Sequence, residues 1–525
     1  MEEYLKPRIL AFVCHWCAYA GADLAGVSRL QYPSHVRLIR VMCTGRIHSG
    51  FLLEAFLQGA DGVLVAGCHI GDCHYLEGNV KCQKVVEDTR EYLRLLGIEE
   101  GRLRLKWISA SEGAQFAAEV RDFTEYLTGL KAPALPEGPQ DMPRFFPVPE
   151  AKPPLTTEQT AACLECSNCD AVCPVHREVP SFSPKAVINQ AALGLTDLFL
   201  KKNEVWACLG CGACNSRCPA GIDIARFNRS FRRRARLTTN LPMESHHGVP
   251  QAIARLQRHV LRQRRTAWAE EIGRTREKGP YYYFVGCLPF FEITFRYLNI
   301  SLLEDARSVL TLLNRVGIEP VIAEEERCCG HDALWAGDEE TFLDLAYRNL
   351  KTIEAAGAET VIFSCPEGYA VFRFDYPRYF GPLPFRVVHL SELLAEKLPE
   401  GGAPFRPALV RRVTFQDPCR LGRHSGLYDP PRRLLTQIPG LEWVEMERTE
   451  ENALCCGTSA WMECSACSKA LQKERLHEAI QTGAERLLTA CPKCRIHFTC
   501  AQAGEDGTMK IQDIFTFLAD HLKKD

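Results

Sequence analysis

No apolar run in this sequence reaches the roughly 18 residues that a membrane-spanning helix requires. The opening residues, Met1 to Pro7, are charged and lack the hydrophobic core of a secretion signal, so a soluble, cytoplasmic chain with no membrane span is expected. An excess of one charge is missing too. With 63 basic and 65 acidic residues the formal net charge is -2, which gives no general reason to expect nucleic acid or an anionic membrane as a partner. No G-x-G-x-x-G follows a strand pattern and opens a helix, and no phosphate-cradling G-K-S/T loop occurs. Flavin and nicotinamide are therefore assigned to other subunits.

What the sequence has in abundance is cysteine, 26 in 525 residues. Cytosolic thiols are kept reduced, and disulfide-dense scaffolds are small and secreted, so a disulfide framework does not account for them. Metal ligation does.

The length calls for two to four domains. From Arg8 to Leu130 short apolar runs (Ile9-Val13, Val36-Met42, Gly62-Ala66, Leu103-Ile108) alternate with amphipathic stretches, which predicts a parallel-sheet α/β domain over residues 1-130. Eight prolines between Ala132 and Leu155 exclude continuous helix or central strand and predict an extended linker at 131-154. A helical domain with two ferredoxin-type cysteine runs is expected at 155-240, and a basic helical connector at 241-280. From Tyr281 two similar halves follow, at 281-400 and 401-525, each with a strand ending in Cys, a helix, Cys-Cys-Gly, a helix and another strand ending in Cys. Their matching cysteines are offset by 132, 127 and 126 residues, the mark of an internal duplication. The fold class expected is multidomain, α/β and α.

Cys163, Cys166, Cys169 and Cys173, followed by Pro174, form C-x2-C-x2-C-x3-C-P, and Cys208, Cys211, Cys214 and Cys218, followed by Pro219, repeat it 45 residues later. Three thiolates two residues apart can wrap three corners of a cubane from one loop, and this is the bacterial 4Fe-4S ligand run. Two such clusters are expected. The fourth cysteine of such a run often serves the other cluster, so Cys173 is a candidate for the second loop's site and Cys218 for the first. Zinc knuckles are the competing reading; the compact four-cysteine spacing, present twice, favours iron-sulfur.

Cys14, Cys43 and Cys68 each close a predicted strand, and Cys17 and Cys73 follow on adjacent loops, with His15, His69 and His74 beside them. In an open parallel sheet the carboxyl ends of the strands share one edge, where ligands bind. Five thiols would converge there, one more than a 2Fe-2S centre needs. The segments CHWCAYAGADLAGVSRLQYP, VMCTGRIHSGFLLEAFLQGADGVLVAGCHIGDCHYLEGN and LKWISASEG resemble the delta subunit of methyl-viologen-reducing hydrogenase over nearly all of residues 8-130. The resemblance implies one 2Fe-2S cluster on Cys14, Cys17, Cys43, Cys68 and Cys73, and electron passage between a hydrogenase or dehydrogenase and a flavoprotein of heterodisulfide reductase.

The second half-repeat offers Cys419, Cys455, Cys456, Cys491 and Cys494, too many thiols for one cubane. With DPCRLGRHSGLYDPPRRLL and ENALCCGTSAW it resembles the CCG domain of the heterodisulfide reductase B subunit, which implies a non-cubane 4Fe-4S cluster that attacks disulfides. The first half-repeat offers Cys287, Cys328, Cys329 and Cys365 but has Gly368 where the family's last cysteine would stand, so one complete site is expected, with a further cluster left open at the first. The ferredoxin pair resembles the reductase's C subunit.

The resemblances together imply an iron-sulfur oxidoreductase subunit that takes electrons from a reductase A-like flavoprotein and a hydrogenase or other dehydrogenase, and reduces a disulfide. A pure electron relay is the alternative. His331 and His424 stand near the Cys-Cys-Gly loops as candidate proton donors. The basic run with Arg232, Arg233, Arg234 and Arg236 reads as a solvated face or subunit contact rather than a nucleic-acid site. Cys82, Cys464, Cys467 and Cys500 read as spare thiols, with a metal or redox pair at Cys464 and Cys467 as the alternative.

Overall fold

The computed structural model of the chain describes residues 6-136, 160-200, 203-238, 240-259, 261-270, 272-398, 404-504 and 509-523. The linker expected at 131-154 lies outside these from residue 137 onward. The chain forms two compact units, Met1–Met142 with His246–Arg265, and Pro143–Ser245 with Thr266–Asp525.

In the first unit β1 (Ile9–Cys14), β2 (Val36–Val41), β3 (Gly62–Gly67) and β4 (Leu103–Trp107) form a parallel sheet in the order β2-β1-β3-β4. Every residue of β3 is buried, which is why its six residues read as one apolar run rather than an alternation. Helix Ala18–Val27 packs against Gly113–Gly129, and Ser49–Leu57 against Gly78–Leu96. From β1 the chain steps to β2 on one side and then to β3 on the other, so the carboxyl ends of β1 and β3 flank a topological switch point. Residues 246-265, within the stretch expected as a connector, belong to this unit: helix Val249–Leu256 packs on Ser49–Leu57, where Arg255 pairs with Glu54 and the rings of His48 and His247 stack at 4.1 Å.

The second unit holds the helical cysteine runs and the two half-repeats. In the first half β5 (Tyr281–Phe284), β6 (Thr360–Phe363) and β7 (Arg386–His389) lie parallel in that order, and Val321 makes a parallel bridge to β5. In the second half β8 (Arg412–Gln416), β9 (Glu442–Val444), β10 (Arg486–Thr489) and β11 (Lys510–Asp513) lie parallel in the order β11-β10-β8-β9. The sheets are equivalent, with β5, Val321, β6 and β7 matching β8, β9, β10 and β11, so the duplication seen in cysteine spacing is also a duplication of topology. One apolar core runs through both halves, from Phe291 and Ile362 to Trp461 and Phe515.

The two cysteine runs sit among short helices around Val175, Phe182, Trp206, Phe227 and Phe231, and this core continues into Trp335, Ala460 and Met462 of the half-repeats. The basic helix Ile224–Leu237 is spent on that contact. Arg229 pairs with Asp375 at 2.9 Å, Arg233 with Glu339 at 2.7 Å and Arg236 with Asp338 at 4.0 Å, while Arg234 stays half-exposed beside Asp197 of the cysteine-run segment at 3.8 Å. The reading of Arg232 as part of a solvated face is corrected here: the residue is 1% exposed, because its guanidinium is surrounded by four backbone carbonyls. Among the described residues no helix is long and apolar enough to cross a membrane.

Candidate functional site

At the switch point of the first unit, Cys14 ends β1 and Cys68 follows β3, with their sulfurs 3.8 Å apart. Cys17, on the turn after β1, brings a third thiol within 4.8 Å of both. Cys43 and Cys73 form a neighbouring pair at 3.9 Å. A Cβ at Gly78 would stand 2.2 Å from the Cys43 sulfur and 3.2 Å from that of Cys73, so only glycine lets the helix Gly78–Leu96 start this close to the thiols. The S–H of Cys17 holds the Cys14 thiol down at about 6, whereas burial pushes Cys43 up to about 11. A thiolate is the form that binds a metal, and the group presents one at neutral pH. Trp16 stacks on His74 at 4.0 Å, and His69 is bound to Glu112 at 2.8 Å. Cys82 is fully buried nearby.

The two ferredoxin-type loops share one backbone conformation. Glu165 and Ser167 have φ of 51° and 63°, and their counterparts Gly210 and Gly212 have 59° and 76°. Left-handed φ disfavours side chains, so the identity of each pair follows from its surroundings. A Cβ at Gly210 would lie 2.6 Å from the Trp335 ring, and one at Gly212 3.0 Å from His424. The first loop keeps side chains at both places, Glu165 exposed and Ser167 bonded to the Lys185 ammonium. One cavity is lined by Cys173, Cys208, Cys211 and Cys214, and another by Cys163, Cys166, Cys169 and Cys218. Each therefore gathers three thiols of one run and the last of the other.

In the second half-repeat Cys419 follows β8, Cys455 and Cys456 sit on a loop, and Cys491 and Cys494 frame the first turn of helix Pro492–Ala501. Their side chains share one cluster with Cys211 of the second ferredoxin loop, whose thiol takes a hydrogen bond from Cys455 and is held down at about 5. Donation from Cys455 and Cys494 keeps Cys456 well below the usual thiol range. A pocket here is lined by Cys419, Cys456, Cys491 and Cys494 together with Arg420 and Lys493. His497, one turn beyond Cys494 and 5% exposed, places Nδ1 3.3 Å from the Cys456 sulfur. Sequence reading passed over His497; its one signal is the i, i+3 spacing from Cys494.

In the first half-repeat Cys287 and Cys328 lie 3.3 Å apart, and Cys329 and Cys365 are buried or half-buried beside them. At Gly368 a Cβ would approach the Phe363 ring at 3.0 Å and Cys329 at 4.0 Å. Phe363 stacks with Phe284, and Phe372 closes the group. Aromatic rings fill the space beside this position, and the site has four thiols.

Between the half-repeats lies a buried charged layer. Lys493 donates to Asp332 and, at 2.5 Å, to Glu367. His331 sets Nδ1 against Asp332 at 3.0 Å and takes a hydrogen bond on Nε2 from Arg420 at 2.9 Å. His331, Asp332 and Glu367 are spaced to hold a metal ion, and the Lys493 ammonium supplies that positive charge instead. His424 bonds Gly210 O at 2.9 Å and is kept neutral by burial and by Arg420, so it attends the ferredoxin loop. The structure also separates Cys464 from Cys467: Cys467 packs in the ferredoxin core, while Cys464 faces Cys500, which accepts from Lys469 at 3.1 Å.

Known families match along the same divisions: "Methyl-viologen-reducing hydrogenase, delta subunit" over residues 9-131, "4Fe-4S dicluster domain" over 159-222, and "Cysteine-rich domain" over 281-373 and 413-499. These define an iron-sulfur oxidoreductase chain. It belongs to the family of the methyl-viologen-reducing hydrogenase delta subunit, extended by the dicluster and cysteine-rich domains. The iron-sulfur D subunit of the F420-non-reducing hydrogenase vhc of Methanococcus voltae is 50% identical over 130 residues, which are 25% of this chain and 90% of that one. The D subunit of the dihydromethanophenazine:CoB--CoM heterodisulfide reductase of Methanosarcina acetivorans is 32% identical over 265 residues, 49% of this chain. This chain spans 63% of that relative's length. The A subunit of the ferredoxin/F(420)H(2)-dependent CoB-CoM heterodisulfide reductase of the same organism is 47% identical over 121 residues, 23% of this chain and 15% of that one.

Proposed function

We propose that the chain is the electron-conducting and disulfide-reducing subunit of a heterodisulfide-reductase-like complex in the cytoplasm. The observation that carries this reading is the contact between Cys211 and Cys455, which sets a ferredoxin-type loop directly against the five thiols of the second half-repeat. Bound iron-sulfur clusters supply one-electron redox chemistry. The thiol groupings suit them: Cys163, Cys166, Cys169 and Cys218 for one 4Fe-4S cubane, and Cys208, Cys211, Cys214 and Cys173 for the other. Four of Cys14, Cys17, Cys43, Cys68 and Cys73 would hold a 2Fe-2S cluster, and Cys419, Cys455, Cys456, Cys491 and Cys494 a non-cubane 4Fe-4S cluster.

In this reading the protein's own part is to position and desolvate. Arg420 and Lys493 line the pocket beside Cys419, Cys456 and Cys491, where a disulfide would be held as its sulfurs become thiolates. The partners are a reductase A-like flavoprotein and a hydrogenase or other dehydrogenase; support comes from the N-terminal domain, which recurs in the D subunit of a hydrogenase and within the A subunit of a heterodisulfide reductase.

A second reading rests on Gly368. With a fifth thiol at one half-repeat only, disulfide cleavage between two such clusters is not available, and the chain would relay electrons to another oxidoreductase. Anaerobic isolation of the native complex, with identification of its subunits and EPR under added disulfides, tests both. Disulfide reduction predicts disulfide-dependent reoxidation of the dithionite-reduced protein that Cys456→Ala abolishes. Reoxidation unchanged in that variant overturns the first reading in favour of the relay.

A further inference from the structure

Three guanidinium groups converge on one ferredoxin-type loop. Arg232, from helix Ile224–Leu237, donates to Cys208 O as well as to Val205 O, Trp206 O and Trp335 O. Arg420, next to Cys419, donates to Gly210 O and lies over the Trp335 ring at 3.9 Å. Arg423 donates to Cys211 O at 2.8 Å and to Ala453 O and Glu451 O. Three carbonyls of the span 208-211 are thus each fixed by a different arginine.

Arg232 and Arg420 are 1% and 3% exposed. None of the three makes an ion pair with a carboxylate among the described residues, whereas their neighbours Arg229 and Arg233 do. A buried charge without a counter-ion is strongly unfavourable, so the site is built to receive an anion. Four thiolates bound to iron are such an anion. The first loop is set differently: Lys185 lines its cavity and bonds Ser167 Oγ at 2.9 Å, while the Asp170 carboxylate lies beside Cys169 and offsets that charge. Cys166 there is exposed, whereas Cys211 and Cys214 are 8% and 9% exposed.

We propose that Arg232, Arg420 and Arg423 form a cationic collar on the 208-211 loop that sets the reduction potential of the group bound there above that of the group bound by the 163-169 loop. Cluster potentials follow net charge, hydrogen bonding and exposure. Burial by itself disfavours the more negative, reduced form and works against the proposal. Two positive charges in the dry interior, Arg232 and Arg420, with a third from Arg423 at the rim, act on that form with little screening and outweigh burial. The ordering makes the station touching Cys455 the lower-energy one for an electron, and the collar residues are positioning residues.

This inference rests on the cubane assignment proposed above, and its test separates the two. The complete, anaerobically isolated protein is titrated potentiometrically with EPR detection of the 4Fe-4S signals. Arg423→Gln, at the half-buried rim, and Arg232→Gln are expected to shift the same, higher-potential wave downward. Arg232→Lys, which keeps the charge, is expected to leave that wave near its original place, and Asp170→Asn to move the other, lower wave upward. Should Arg232→Gln fail to load iron, Arg423→Gln and Asp170→Asn still decide. Waves unmoved by Arg423→Gln, or an arginine-sensitive wave that proves to be the lower one, would overturn the collar while leaving the cubanes in place. Absence of two 4Fe-4S signals in the unaltered protein would overturn the cubane assignment itself, and the collar with it.

Discussion

Glu367 and Lys493 occupy equivalent places in the two half-repeats, and their side chains meet at 2.5 Å. Each follows the Cys-Pro that opens a helix, so a duplicated position has diverged into opposite charges that bind each other across the internal symmetry. Asp332 shares the Lys493 ammonium, and all three groups are buried or nearly so.

Removing the cation from this layer strands two carboxylates. Lys493→Met is therefore expected to destabilise the second unit by about 3–5 kcal/mol, whereas Glu367→Gln, which leaves Asp332 paired, loses less. The double exchange Glu367→Lys with Lys493→Glu recovers part of the loss. Thermal unfolding followed by circular dichroism checks the order; equal stability of Lys493→Met and the parent would show the layer to be dispensable.

Gly78→Ala should disrupt the N-terminal thiol group and the 2Fe-2S cluster proposed there. With a Cβ placed 2.2 Å from the Cys43 sulfur, the helix start or the thiol pair must move, and the expected result is loss of the 2Fe-2S EPR signal with the 4Fe-4S signals retained. Gly26→Ala, in a helix and with nothing within 4 Å, serves as the control and keeps full iron content.

The two ferredoxin-type loops predict opposite responses to substitution. Gly210→Ala meets the Trp335 ring with left-handed φ and is expected to lower stability by about 2 kcal/mol. Glu165→Gly, at an exposed position with left-handed φ in the first loop, relieves strain and is expected to raise stability by about 0.5–1 kcal/mol. Melting temperatures of the two variants should move in opposite directions.

Acid should loosen the return helix of the first unit. Burial, then the neighbouring His247 and Arg46, pulls His48 from 6.5 down to about 4. Between those values the unfolded chain binds a proton that the folded one does not, so stability rises with pH across this window and is lost as pH falls through it. After allowance for the ring's partial exposure the loss is about 2 kcal/mol. Hydrogen exchange in Ser49–Leu57 and Val249–Leu256, corrected for intrinsic rates, is expected to quicken from pH 6.5 to 4, and His48→Asn to flatten the dependence.

His497→Ala removes the imidazole 3.3 Å from the Cys456 sulfur. Disulfide-dependent reoxidation is expected to slow at least tenfold, as for other groups that orient metal ligands, with the ferredoxin-type EPR signals unchanged. An unaltered rate would assign His497 to packing against Trp461 alone.

Much of the architecture was legible because it is local. The four N-terminal strands fell within a residue or two of their apolar runs, and the parallel α/β class followed from their alternation with helices. Cysteine spacing alone marked the repeats. What stayed hidden is carried by long-range pairs with no periodicity: Lys493 with Glu367, Arg420 and Arg423 with the 208-211 loop some two hundred residues earlier, and His497 with Cys456. Arg232 misled for the same reason, since a run of arginines looks alike whether its guanidiniums face water or carbonyls. The basic stretch near 246-265 gave no local sign that it packs with a domain more than a hundred residues before it.

That return of the chain has a practical consequence for dissection. Because His246–Arg265 folds with the N-terminal sheet, the backbone passes between the units three times, and a single break between residues 137 and 159 cuts the first unit in two, leaving His246–Arg265 covalently attached to the second. A fragment ending before 246 would also leave the face of Ser49–Leu57 bare, so each unit is best studied by altering residues within the intact polypeptide rather than by cutting it.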